Sequence, residues 1–174
     1  TAINLGAYTL TLSGGGNLVS GGLTLNNASS KLLLNSITVD SVSTSLASLG
    51  LDVDANSTVT SLTVAHTTPV SIASGKTLSG AITVTAGSIR LDEAGTIASS
   101  VSMSGGTLDV DETMTVSGTL SHTADITISV GSNKTLTYSG TALSLGAYTL
   151  TLSGGGSLVS GGLDLNNASS KLLL

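Results

Sequence analysis

The sequence predicts an all-β fold: residues 1–174 as one continuous β-solenoid, a right-handed parallel β-helix of three-sided coils, about 20 residues per coil and about 8.5 coils. Three observations carry it. Charged residues are 9% and aromatics 2% of the chain, there is one proline at Pro69, and Gly, Ser, Thr, Leu and Val make up almost everything else. Such material builds short strands and tight turns rather than helices. Apolar residues that open an alternating run recur at Leu23, Val42, Leu62, Ile82, Val101, Leu120, Leu143 and Leu163, in steps of 19, 20, 20, 19, 19, 23 and 20. Finally, residues 1–34 recur as 141–174. Leu5 to Leu34 differs from Leu145 to Leu174 only in Asn17/Ser157 and Thr24/Asp164. The 140-residue repeat is therefore seven whole short units, as a stack requires.

The elements follow in chain order. Leu23/Leu25, Leu32/Leu34 and Ile37/Val39 form the three sides of one coil. The equivalent patches are Leu62/Val64, Val70/Ile72 and Leu78, then Ile82/Val84, Ile89/Leu91 and Ile97, then Val101/Met103, Leu108/Val110 and Met114/Val116. Period two puts the apolar side chains on one side of each patch and small polar ones on the other. Three such patches close a triangle with the apolar sides inward, and each strand pairs in parallel with its counterpart about 4.8 Å above. Corner glycines such as Gly14 to Gly16 and Gly105–Gly106 supply the turns. A lone coil buries too little to offset the entropy of ordering it, so coils are stable only when stacked. Leu34 is followed by "NSITVDS", the third side, whereas Leu174 falls mid-coil, and the chain opens on Thr1 rather than Met. The expectation is a slice of a longer tandem array, or copies stacked end to end.

Several function classes are excluded or weakened. A net charge of −5 with five Lys and Arg spread along the chain supplies no basic face for nucleic acid. No apolar run approaches the roughly 18 residues of a spanning helix, so no membrane insertion is expected. Without cysteine there is neither a disulfide framework nor a thiolate metal site. Nearly every coil is minimal, with no long loops to wall a cleft and no Trp or Phe to stack on sugar rings, so the chain is not expected to be an enzyme, and no cofactor is expected.

The polar candidates are few. Asp92–Glu93 and Asp111–Glu112 are one coil apart and expected to stack at a corner, where a hard cation such as Ca²⁺ would relieve their repulsion; the plain alternative is a solvated turn with an Arg90–Asp109 pair. Thr24, Ser43, Thr63, Thr83, Ser102 and Ser121 form an outward hydroxyl ladder, flanked by Asn26, Ser45, Ala65, Thr85, Ser104 and Thr123. It resembles the hydroxyl arrays of ice-binding solenoids, although only Thr83 and Thr85 complete a Thr-x-Thr pair. Leu33 and Leu173 point outward between inward leucines and are candidates for lateral contact between rods. His66 and His122 lie about three coils apart, and His122 has the parity of a core residue, equivalent to Met103. "ASGKT" at Ala73 to Thr77 lacks the first glycine and the helix of a phosphate-binding loop.

With stretches such as "ITVTAGSIRLDEAGTIASS" and "VSMSGGTLDVDETMTVSGT", the units resemble the roughly nineteen-residue β-helical repeats of filamentous haemagglutinins and autotransporter passenger domains. The resemblance implies a right-handed three-sided helix exported to the bacterial surface, and the variable coil length fits that hand better than the strict hexapeptide of left-handed helices. The expected function is the structural shaft of a long extracellular or cell-surface bacterial fibre or adhesin. Its expected partners are copies of itself, end to end or laterally, and possible surface glycans. The alternative is a binding solenoid for ice or polysaccharide, using the hydroxyl ladder.

Overall fold

A computed structural model describes residues 2–19 and 21–174. Among them there is no helix, and every pairing of strands is parallel. The chain winds as a β-solenoid of about eight turns, the architecture expected from the short period.

One face is a nine-stranded sheet running from Thr9–Ser13 through Lys31–Asn35, Gly50–Val53, Thr68–Ile72, Ser88–Leu91, Thr107–Val110, Ile126–Val130 and Thr149–Ser153 to Lys171–Leu173. A second, twelve-stranded sheet covers the other two faces. They merge because Thr38–Thr44, Ser57–Val64 and Thr77–Val84 each run without a break from the third side of one coil into the first side of the next. The sequence predicts separate patches there; instead the corner is a bend within one strand. Gly80, φ +116°, marks that bend in the third of these strands. There the register slips, with Ser79 opposite Thr58 but Ala81 opposite Ser61, so the upper strand is one residue short of the lower.

The interior is a set of aliphatic columns. Leu23, Val42, Leu62, Ile82, Val101 and Leu120 stand one over the next, each at most 4% exposed. Beside them Val64, Val84, Met103 and His122 form a second column. On the nine-stranded face Leu32, Leu51, Val70, Leu91 and Val110 are stacked in the same way. Here one detail departs from the sequence reading: Leu91, not Ile89, lies over Val70, and Ile89 lies over buried Thr68. A slide of two residues preserves which side chains face inward, so alternation alone does not reveal it.

Among the described residues the stack is interrupted once on its first face. Leu120–His122 pairs only with the coil below, and Leu143–Ser144 pairs only with Leu163–Asp164 above, as a separate two-stranded sheet. This interruption coincides with the 23-residue step from Leu120 to Leu143, the longest in the chain.

Candidate functional site

The acidic corner is built by the turns that follow Ser88–Leu91 and Thr107–Val110, which are paired so that Arg90 faces Asp109 and Leu91 faces Val110. Asp92 and Asp111 are therefore superposed, as the one-coil spacing implies. Arg90 occupies the space between them. Its single Nε–H donates to Asp111 Oδ2 at 2.6 Å, and Asp92 Oδ1 lies 3.0 Å from the same nitrogen. One N–H serves one acceptor, so Asp92 Oδ1 is attracted by the charge but has no hydrogen bond among the described residues. Arg90 thus reaches past Asp109, its ladder neighbour, to the corner carboxylates. Glu112 is held separately by Lys134 at 2.6 Å. Among the described residues no group of three or more His, Asp or Glu converges as a metal site, and Asp92, Glu93, Asp111 and Glu112 are not gathered around a common point.

Burial pushes the Asp92 carboxyl above the ordinary carboxylate range; Arg90 opposes this, and Asp111, Asp109 and Asp52 add to it. An acid raised in the folded state contributes stability that is present below its ordinary range and lost as pH rises through its raised value. Asp92→Asn removes that loss. The variant is expected to match the parent in acid and to melt about 1–2 °C higher at neutral pH, a small effect because the site is partly solvated; thermal melts across the carboxylate range check it.

The hydroxyl ladder is in register. Thr24 pairs with Ser43, Ser43 with Thr63, Thr63 with Thr83, Thr83 with Ser102 and Ser102 with Ser121. Thr24 Oγ1 and Ser43 Oγ are 3.3 Å apart, so the first two members of the file bond to each other. The flanking column does not form a second free row. Thr85 Oγ1 and Ser104 Oγ turn back to the carbonyls of Val64 and Val84, and Asn26 Oδ1 accepts the Gly6 N–H. The surface is therefore one row of hydroxyls rather than a two-row lattice.

Leu33 stands outward between Thr11 below and Asp52 above and is half-buried. Leu173, its counterpart, lies over Thr151 and is 40% exposed. Larger exposed apolar groups went unnoticed in the sequence: Tyr8, Val19, Leu46 and Leu49 are all more than half exposed. Each sits at or beside a turn, where inward–outward alternation no longer assigns a side. "ASGKT" forms a turn, with the Lys76 N–H on the Ala73 carbonyl, and a strand follows it. His66 is exposed at another turn, remote from the buried His122.

His122 faces inward above Met103, as its parity implies, at the interruption of the first face. Its Nδ1 is 3.0 Å from the Ala124 carbonyl, and its ring meets that of Tyr148 edge-on at 5.9 Å. A carbonyl only accepts, so Nδ1–H donates to it, and Nε2 is buried with no hydrogen-bond partner among the described residues. The unpaired strand edges open a shallow cleft of about 360 Å³ beside it, lined by Leu120, Ser121, His122, Tyr138, Thr141 and Ser144 among others. An unsatisfied nitrogen in an aliphatic column costs stability. His122→Leu is expected to stabilise the chain by about 1 kcal/mol, a rise in Tm of about 2–4 °C, measurable by calorimetry.

At the acidic corner Arg90 pairs with Asp92 and Asp111, and Lys134 with Glu112. Comparison with protein families, with characterised proteins and with solved structures finds no match to the chain.

Proposed function

We propose that the chain is a segment of the shaft of a long secreted or cell-surface bacterial fibre or adhesin, assembled from tandem 140-residue repeats and acting as a stiff spacer. The carrying observation is that the two copies of the repeated segment build the same turn with the same bonds. Asn27 and Asn167 each donate their N–H to the serine three residues on, at 3.0 and 3.1 Å. Lys31 and Lys171 each donate to the carbonyl of the tyrosine one coil below, at 3.2 Å. A unit that rebuilds the same turn after seven coils can be repeated in tandem, which is what a shaft needs. The likeness of its coils to filamentous haemagglutinin and autotransporter repeats supports the same reading, as does the small, weakly charged outer surface. Its partners are then further copies of the repeat, joined end to end or side by side, with Leu33 and Leu173 available for lateral contact.

The test is a tandem chain of several repeats, imaged by negative stain and assayed for ice-growth inhibition and binding to a glycan array. Straight unbranched rods inert in both assays are expected. Saturable glycan binding or thermal hysteresis would move the function to the hydroxyl file and overturn the shaft reading.

A further inference from the structure

We propose that the junction between the coil of Leu120 to Tyr138 and the coil of Leu143 to Val159 is a built-in joint, at which the solenoid bends by opening its first face while the other two faces stay bonded. The joint is a property of the stack and does not depend on the use made of the chain. Both of its sides are covered: Leu120–His122 pairs with Val101–Met103 below, and Leu143–Ser144 with Leu163–Asp164 above.

On two faces this junction is ordinary. Ile126 to Ser129 pair residue for residue with Leu150 to Ser153, and Thr135 to Thr137 with Ser157 to Val159. On the first face no ladder forms, although Cα atoms of Leu120–His122 and Leu143–Ser144 approach within 8 Å. An inserted strand needs about twice the 4.8 Å ladder spacing, so none fits between them. The peptide groups at both edges are turned towards the gap. The Thr123 N–H donates down to the Met103 carbonyl, while the Leu143 and Leu145 N–H groups donate up to the Gly162 and Asp164 carbonyls. By alternation the peptide groups of Leu120 and His122 point up and that of Ser144 points down, with no ladder joining them. Opening the first face therefore breaks no ladder bond here, whereas opening either of the others breaks a row of them.

Two features of the sequence build the joint. The corner leading into the first face spans four residue steps from Leu78 to Ile82, from Ile97 to Val101 and from Val116 to Leu120, but five from Tyr138 to Leu143. Leu158 to Leu163 again takes five, and there the ladder is restored. The one-residue difference between Ser57–Val64 and Thr77–Val84 is absorbed as a slip at Gly80, inside strands that run through the corner. Residues 139–142 lie outside any strand, so the extra residue instead lifts one edge off the other. The second feature is a change from aliphatic groups to rings. His122 stands over Met103 and Tyr138 over Val116, with the Tyr138 hydroxyl end against Gly140 in the longer corner. Tyr148, from the coil above, meets the His122 ring edge-on. Two of the three tyrosines in the chain gather at this junction, and rings bulkier than the side chains beneath them hold the first face ajar. With two faces still bonded, the bend is limited and has one direction.

The chain has no cysteine, so pairs of introduced thiols carry nitroxide labels at chosen sites only. Three pairs of outward serines on neighbouring coils are labelled. Ser121→Cys with Ser144→Cys spans the joint; Ser102→Cys with Ser121→Cys lies on the same face one junction lower; Ser129→Cys with Ser153→Cys lies at the same junction on the nine-stranded face. Electron paramagnetic resonance in frozen solution reads the distribution of spin–spin distances. The distribution for the Ser121/Ser144 pair is expected to be about twice as broad as either control. Equal widths in all three overturn the joint. Breadth in the Ser129/Ser153 pair as well marks loosening of the entire upper coil and overturns it too. Deleting Thr141 returns the corner to four steps and is expected to narrow the Ser121/Ser144 distribution to that of the controls; an unchanged width in the folded deletion variant overturns the role given to the corner.

Discussion

Gly80→Ala is expected to destabilise the chain by about 3–5 kcal/mol, the largest effect of any methyl-sized change considered. Two costs add. Gly80 has φ +116°, a conformation that side chains with a Cβ rarely adopt. A Cβ built there would meet the Val59 carbonyl oxygen at 1.4 Å, a backbone atom that no rotamer change removes. Backbone relief is also blocked, because the Gly80 N–H is held by Ser99 Oγ of the coil above at 2.7 Å and Ala81 is already paired with Ser61. The matched control is Gly75→Ala, φ +71°, where a Cβ would touch nothing within 4 Å. That variant carries only the conformational cost, about 1–2 kcal/mol. Denaturant titration of both variants measures the difference.

Ile89→Ala is expected to cost about 3–4 kcal/mol, against less than about 1 kcal/mol for Leu10→Ala. Ile89 is fully buried between Thr68 and Leu108, in a middle coil with neighbours on both sides. A cavity there weakens two interfaces at once, and in a stack with only nearest-neighbour contacts the loss is felt in the adjoining coils. Leu10 is only partly buried, in an outer coil, and its loss removes contacts already incomplete. Hydrogen exchange should show faster opening across residues 68–110 in Ile89→Ala and no change there in Leu10→Ala.

Much of the architecture was legible because the physics behind it is local and repetitive. Inward-facing Leu, Ile and Val at period two, with a coil step near twenty, are enough to place Leu62 over Val42 and Ile82 over Leu62. Whatever preserves parity was not legible. The two-residue slide that puts Leu91 over Val70 leaves the same side chains inside, and buried Thr68 fills the position that results. The continuous bent strands were also missed, because the register slip at Gly80 depends on the lengths of two coils compared, not on either sequence alone. The acidic corner was half legible. Coil spacing superposes Asp92 and Asp111, but the reach of the Arg90 side chain between them is a matter of rotamer, beyond any spacing argument. His122 was assigned inward correctly from parity, whereas the interruption of the ladder beside it surfaced in the sequence only as an unusually long step.

The central claim is that each coil of about twenty residues adds one parallel strand spacing along a single axis. Cryo-electron microscopy of chains carrying increasing numbers of the 140-residue repeat measures this directly. The account predicts rods that lengthen by about 34 Å per repeat at constant width, seven coils at about 4.8 Å each. Separate globules joined by linkers, or a length per repeat unrelated to that spacing, would contradict it.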